Sequence, residues 1–163
     1  MTDLSKLSAL ELHYQASKLL SDYVETIDDD RLEQWPDLFV DDCVYQVIAR
    51  ENADRGLPTS AMYCDSRGML VDRIVALRHA NIYAKHYYRH VLSNVNVKGL
   101  DGGELVVQSN YVVLQTLVEG DTHVFNAGKY LDRMVATPDG LRFKRKVVVF
   151  DTFRIPNLLV TPL

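Results

Sequence analysis

No stretch of this chain stays apolar for the about 18 residues that a membrane-crossing helix needs. Its opening, MTDLSKLSALELHY, lacks the basic, apolar and small-residue succession of a secretory signal, so a cytoplasmic protein is expected. Only two cysteines occur, Cys43 and Cys64. They cannot build a disulfide framework, and neither lies in a C-x-x-C or C-x-H arrangement of the kind that holds zinc or an iron–sulfur cluster; in a reducing compartment they are expected as small buried side chains. There is no G-x-x-x-x-G-K-[ST] phosphate loop, no G-x-S-x-G elbow and no H-E-x-x-H pair, which removes the standard nucleotide, serine-hydrolase and zinc-protease routes. Positive charge is not in excess either. A net charge of -4 gives no general attraction to nucleic acid or to an anionic membrane, and neither is expected as a partner.

What remains is ordinary globular composition, 47% hydrophobic and 25% charged over 163 residues, enough for one core in one domain spanning residues 1–163. Ser8 and Glu11 make a capping box, after which Leu12, Ala16, Leu19, Leu20, Tyr23 and Ile27 recur at helical spacing. Asp28, Asp29 and Asp30 end that helix, and Asp30 with Glu33 can cap a short one stopped at Trp35 by Pro36. Val44, Val47 and Ile48 suggest a strand, followed by the turn-rich loop ENADRGLP and a brief apolar segment from Ala61 to Tyr63. Ser66 caps a third helix with the stripe Leu70, Ile74 and Leu77, widened by Val71 and Val75. Beyond Tyr87 the period changes to that of strands, which turn at Asp101-Gly102-Gly103, Gly120-Asp121 and Pro138-Asp139-Gly140. Helices first and long sequential hairpins last predict an α+β fold with a strongly curved antiparallel sheet, Gly128 marking a bend or bulge. Leu12, Leu19, Leu20, Tyr23, Ile27, Leu70, Ile74, Val107, Val113, Val147 and Val149 are the expected core.

Three groups of residues invite a functional reading. His86 and His90 have the i, i+4 spacing of a helical metal pair, but the change of period between them puts a strand there and removes that meaning; no metal site is assigned. Asp28, Tyr45, Tyr63, His90 and Asp151 are the acid–base candidates for a pocket inside a cone-shaped sheet, the alternative being tyrosines that complete the core and a His90 and Asp151 that serve local networks. Asp65, Arg67, Arg73, Arg78, Arg89 and His90 form a mixed-charge segment, either a solvated face laced with ion pairs or an interface where guanidinium groups bind bidentately. The basic run Arg142, Lys144, Arg145 and Lys146 is a further contact surface, with Arg145 facing away from its neighbours, and the tail Ile155–Val160 is too apolar for a solvated end.

The segment YCDSRGMLVDRIVALRHANIYAKHYYRHVLSNVNV, from Tyr63 to Val97, resembles the corresponding part of small (β) subunits of aromatic-ring-hydroxylating, Rieske non-haem iron dioxygenases. The matching positions are Asp65, Leu70, Arg73, Arg89, His90, Asn94 and Val95. The likeness extends through WPDLF, RENADRGLP and the ending FDTFRIPNLLVTPL, and ANIYAKHYYRH looks like the salicylate-, anthranilate- and terephthalate-type branch. The resemblance implies a nuclear transport factor 2-like (SnoaL or scytalone dehydratase-like) cone. It also implies a structural β subunit, trimeric on its own and assembled as α3β3, whose partner α subunit carries the 2Fe-2S Rieske cluster and the non-haem Fe(II). This chain itself would hold no cofactor, no metal and no catalytic residue. A self-sufficient isomerase, dehydratase or cyclase using a pocket in the same cone, or a small-ligand-binding module, is the competing reading.

Overall fold

A computed structural model describes residues 3–80, 82–118, 120–152 and 159–163. Helix α1, Ala9–Asp28, begins as its sequence dictates: the Ser8 hydroxyl accepts from the Glu11 backbone N–H while the Glu11 carboxylate accepts from the Ser8 N–H at 2.8 Å. Its buried stripe is Ala16, Leu19, Leu20, Tyr23, Thr26 and Ile27; Leu12 is only half-buried against the same core. A short 3-10 helix follows at Leu32–Leu38. It runs through Pro36 instead of stopping before it, and Asp30 with Glu33 does not cap it. Pro36 is the fifth of its seven residues, where the fixed φ of about −65° of the proline ring suits the 3-10 backbone, and both carboxylates are engaged elsewhere, by Arg78.

Strand β1 is Phe39–Ala49, α2 is Arg50–Asp54, β2 is Met62–Cys64, and α3 is Arg67–His79 with Ser66 accepting from the Met69 N–H. The ENADRGLP loop of the sequence reading is thus partly helical: Arg50–Asp54 make one turn before Gly56, at φ +64°, ends it. Leu70, Ile74 and Leu77 are buried, but Val71 and Val75 are exposed and do not widen the buried stripe. Four long strands complete the chain, β3 His86–Asp101, β4 Glu104–Leu117, β5 Thr122–Thr137 and β6 Gly140–Phe150.

The six strands form one sheet in the order β2-β1-β6-β5-β4-β3. The hairpins β3–β6 are antiparallel neighbours, whereas β1 returns beside β6 in parallel, from Phe39 opposite Phe143 to Ala49 opposite Phe150. Bulges near Asn94, Gly99, Phe125 and Lys144 bend the strands so that one face becomes concave around α1. Gly128 is not one of them. Its register is unbroken from Tyr111 to Phe150, and a Cβ there would stand 2.0 Å from the Val149 carbonyl oxygen, so close backbone approach is what demands glycine. Within the cone, β4 buries every second residue, and Trp35, Tyr23, Phe39, Tyr45 and Phe143 pack largely edge to face, with Trp35 and Tyr45 at 5.0 Å. Such aromatic pairs contribute about 0.5–1.5 kcal/mol each beyond their burial. Val147 and Val149 are buried on the other face, where they meet Ile48 and Ala53 in a small separate cluster.

Candidate functional site: an aspartate–histidine pair at the cone mouth

Two of the five acid–base candidates meet. Asp28 ends α1, and His90 sits on the inward face of β3 beside Tyr88. One Asp28 oxygen accepts the His90 backbone N–H at 2.9 Å and the other lies 2.6 Å from Nδ1. A carboxylate can only accept, so Nδ1 carries a proton toward Asp28. The His90 side chain is wholly buried, and its Nε2 has no partner among the described residues. Arg89, on the opposite face of the strand, approaches Asp28 at 3.9 Å and keeps its side chain 69% exposed.

A general base must lie within hydrogen-bond reach of the proton it removes. A cavity of about 360 Å³ at the mouth is lined by Asp28, Lys85, His86, Tyr88 and Thr161, but not by His90. Nε2 does not open onto that cavity, and the pair fastens the end of α1 to β3. Burial also raises the Tyr88 phenol to about 12, so the hydroxyl keeps its proton at neutral pH.

The remaining acid–base candidates are scattered. Tyr45 lies deep in the cone, where its hydroxyl accepts from the Leu163 N–H at 3.0 Å and, with Tyr23 at 2.5 Å, holds the Leu163 carbonyl; burial drives the Tyr23 and Tyr45 phenols upward. Tyr63 is 52% exposed on β2, at the sheet edge. Asp151 is exposed and paired with Arg50 at 3.0 Å. Sequence spacing could not distinguish these fates, since Asp28 and His90 are brought together only by the packing of α1 across β3.

The arginines divide similarly. Arg67 donates to the Pro36 carbonyl at 3.1 Å and to the Asp37 carboxylate, and Arg78 clamps Asp30 and Glu33 at 2.9 and 2.7 Å. That clamp lowers the Glu33 carboxyl and raises the guanidinium. Arg73 reaches the Leu159 carbonyl at 3.4 Å, tying α3 to the last described residues, among which Val160 and Leu163 are buried. Positions 155–158 of the apolar tail lie outside the described residues. Asp65 is exposed and makes no ion pair among the described residues.

The basic run of β6 is not one surface. A bulge at Lys144 resets the alternation, so Arg145 points outward while Lys146 enters the cone and is fully buried with Asp132. Its Nζ lies 3.2 Å from the carboxylate and 3.6, 4.3 and 4.7 Å from the ring centroids of Tyr130, Tyr23 and Phe143. Desolvation opposes both charges: it pushes Asp132 up to about 6 and Lys146 down to about 8, against their mutual attraction. Nothing in the sequence marks this pair except two charges inside otherwise inward-facing strand positions.

His86 opens β3, so His90 lies four strand residues on, about 13 Å away. Cys43 and Cys64 are free and buried, with Cys43 pushed up to about 11 by desolvation. Among the described residues no three His, Cys, Asp or Glu side chains converge, and the donor set does not fit a Rieske cluster or a mononuclear iron.

The model of a family described as the ring hydroxylating beta subunit matches residues 23–157. The anthranilate 1,2-dioxygenase small subunit of Burkholderia cepacia is 47% identical over 92% of this chain and 93% of its own length. A crystal structure from Novosphingobium aromaticivorans, named as an aromatic-ring-hydroxylating dioxygenase β subunit, is 48% identical, superposes with a TM-score of 0.86 and covers 95% of this chain and 99% of that one. A naphthalene 1,2-dioxygenase structure, at 17% identity, TM-score 0.76 and 97% and 89% coverage, shares the fold.

Proposed function

Because this chain belongs to the ring hydroxylating β-subunit family, the small subunits of aromatic-ring-hydroxylating dioxygenases, we propose that it is a non-catalytic scaffold on which α subunits are held, in an α3β3 assembly built on a trimer of this chain. The observation that carries the reading is the family match across residues 23–157. The Asp28–His90 pair, which joins α1 to β3 away from the lining of the mouth cavity, supports a structural role for this chain. On this reading the 2Fe-2S Rieske cluster and the Fe(II) belong to the α subunit, and the substrate is an aromatic acid, the class to which the anthranilate of the 47% identical relative belongs.

Contact with the α subunit is assigned to the outer face near the start of β3, where Arg89 stands between the half-exposed Tyr87 and Val91. The half-buried Arg73, which holds Leu159, supports that assignment by ordering the tail. Truncating an interfacial arginine that leaves its partner charge desolvated weakens association by about 2–5 kcal/mol, and a rim arginine by much less.

The test is co-expression with the Rieske-type α subunit of the same source, comparing the wild-type chain with Arg73→Ala and Arg89→Ala. Assembly and oxygenase turnover should require both chains, and Arg89→Ala should lose assembly while remaining folded. Unaffected assembly in both variants would reject the choice of residues. Turnover of an aromatic or ketonic substrate by the purified chain alone would reject the scaffold role in favour of an acid–base enzyme.

A further inference from the structure

The outer face of the sheet, covered only at one side by the short α2, carries a second surface. Over β1, β4, β5 and β6, a cavity of about 460 Å³ is floored by Ile48, Val106, Leu131, Val147 and Val149. Lys98 and Arg145 stand at its edge, both exposed and neither ion-paired among the described residues. The third cation there, Arg133, is already bound to Asp101 and Glu104 at 2.6 and 3.0 Å. Apolar floor and unpaired cations together make a surface for something apolar and acidic.

The chain supplies such a surface elsewhere. The free side of α3 exposes Val71 and Val75, at 44% and 52%, one helical turn apart. Asp72 lies between them and Asp65 just before the helix, both exposed and without an ion pair among the described residues. α3 packs on β1, β2 and the 3-10 helix, away from the cavity, so the two surfaces of one molecule cannot meet.

We propose that the acidic, valine-bearing side of α3 in one copy docks on the apolar, basic outer sheet face of the next. Charge sign fixes the symmetry. A two-fold contact would set the sheet face against itself and bring Lys98 and Arg145 near their own equivalents, an arrangement that like-charge repulsion disfavours. Opposite surfaces at different places on one chain give a head-to-tail contact, which forms the trimeric ring when successive copies are related by a three-fold rotation. The inference rests on the trimer of the preceding reading and names the surfaces that build it.

Sedimentation velocity on the full chain tests it. Wild type should sediment at three times the 18.6 kDa chain mass. Lys98→Glu with Arg145→Glu, and separately Asp65→Lys with Asp72→Lys, should each give folded monomer with unchanged circular dichroism, and all four changes together should restore the trimer. Val75→Glu, at an exposed position, should also dissociate it. Trimers that persist in both charge-reversed proteins, or a four-fold variant that stays monomeric, would overturn this pairing while leaving the trimer intact. A wild-type chain that is monomeric both alone and with its α subunit would overturn the trimer itself.

Discussion

The Lys146–Asp132 pair is the place where one substitution should tell most about the interior. Both side chains are wholly buried, and the ammonium is caged by Tyr23, Tyr130 and Phe143. Asp132→Asn removes the partner charge and leaves a cation in an aromatic cage, a change of the kind that costs about 3–5 kcal/mol. At about 2–4 °C per kcal/mol for a chain of this size, the midpoint of thermal unfolding should fall by at least about 6 °C. Replacing both groups by Asp132→Leu and Lys146→Met removes two desolvation penalties together and should be neutral or stabilising. The pH dependence carries a second signature. Asp132 is raised on folding, so its contribution is intact below 3.8 and is lost as pH climbs through about 6. Lys146 is lowered, so its contribution is intact above 10.5 and is lost as pH falls through about 8. Relative to the double variant, wild type should therefore weaken between about pH 4 and 6, stay at its weakest from 6 to 8, and recover toward 10.5. Moving the carboxyl from 3.8 to about 6 corresponds to about 3 kcal/mol. Urea titrations of both proteins across that range measure the difference directly. An Asp132→Asn protein with an unchanged midpoint, or a flat pH difference, would mean that the ammonium is solvated or already neutral, and the caged ion pair would be wrong.

Other consequences are simpler. Leu20→Ala, at a position with no exposed surface, should destabilise by about 2–5 kcal/mol in denaturant titration; a neutral result would displace it from the core. Gly128→Ala forces a methyl toward the Val149 carbonyl and should cost about 1–3 kcal/mol, read as a lower unfolding midpoint. Ser8→Ala breaks the capping box and should cost about 1 kcal/mol, with Ser8→Asp close to neutral. The isolated chain, after chelation, should carry no stoichiometric iron, zinc or flavin by elemental and absorbance analysis; one iron per chain would overturn the division of labour between subunits.

Local chemistry was the legible part of this sequence. Ser8 with Glu11 announced α1, Ser66 announced α3, and the Gly102-Gly103 turn, with both residues at positive φ, announced the β3–β4 hairpin. The bulge at Lys144 was not legible, because an extra residue in one strand is defined only against its neighbour, and with it went the inward turn of Lys146. The Arg50–Asp54 turn hid behind loop-like composition. Asp28 and His90 were individually suspect, yet their contact spans 62 positions and depends on how α1 crosses the sheet. Val71 and Val75 read as widening the apolar stripe of α3, yet both are exposed, because period alone cannot say how wide a helix's covered side will be.

The parallel seam between β1 and β6 also sets a timetable. Phe39–Ala49 is made early, but one of its two sheet neighbours, the strand from Gly140 to Phe150, is about a hundred residues downstream. During synthesis at about 5–20 residues per second, β1 waits on the order of ten seconds with that edge open, while only its other edge is paired, with the three-residue β2. Such long-range closure makes for slow folding and leaves the nascent chain prone to misassociation until β6 emerges. Production of this protein should thus be limited less by the stability of the finished cone than by the interval before it can close, and slower growth at lower temperature or a holding chaperone should raise the soluble yield more than core-stabilising substitutions do.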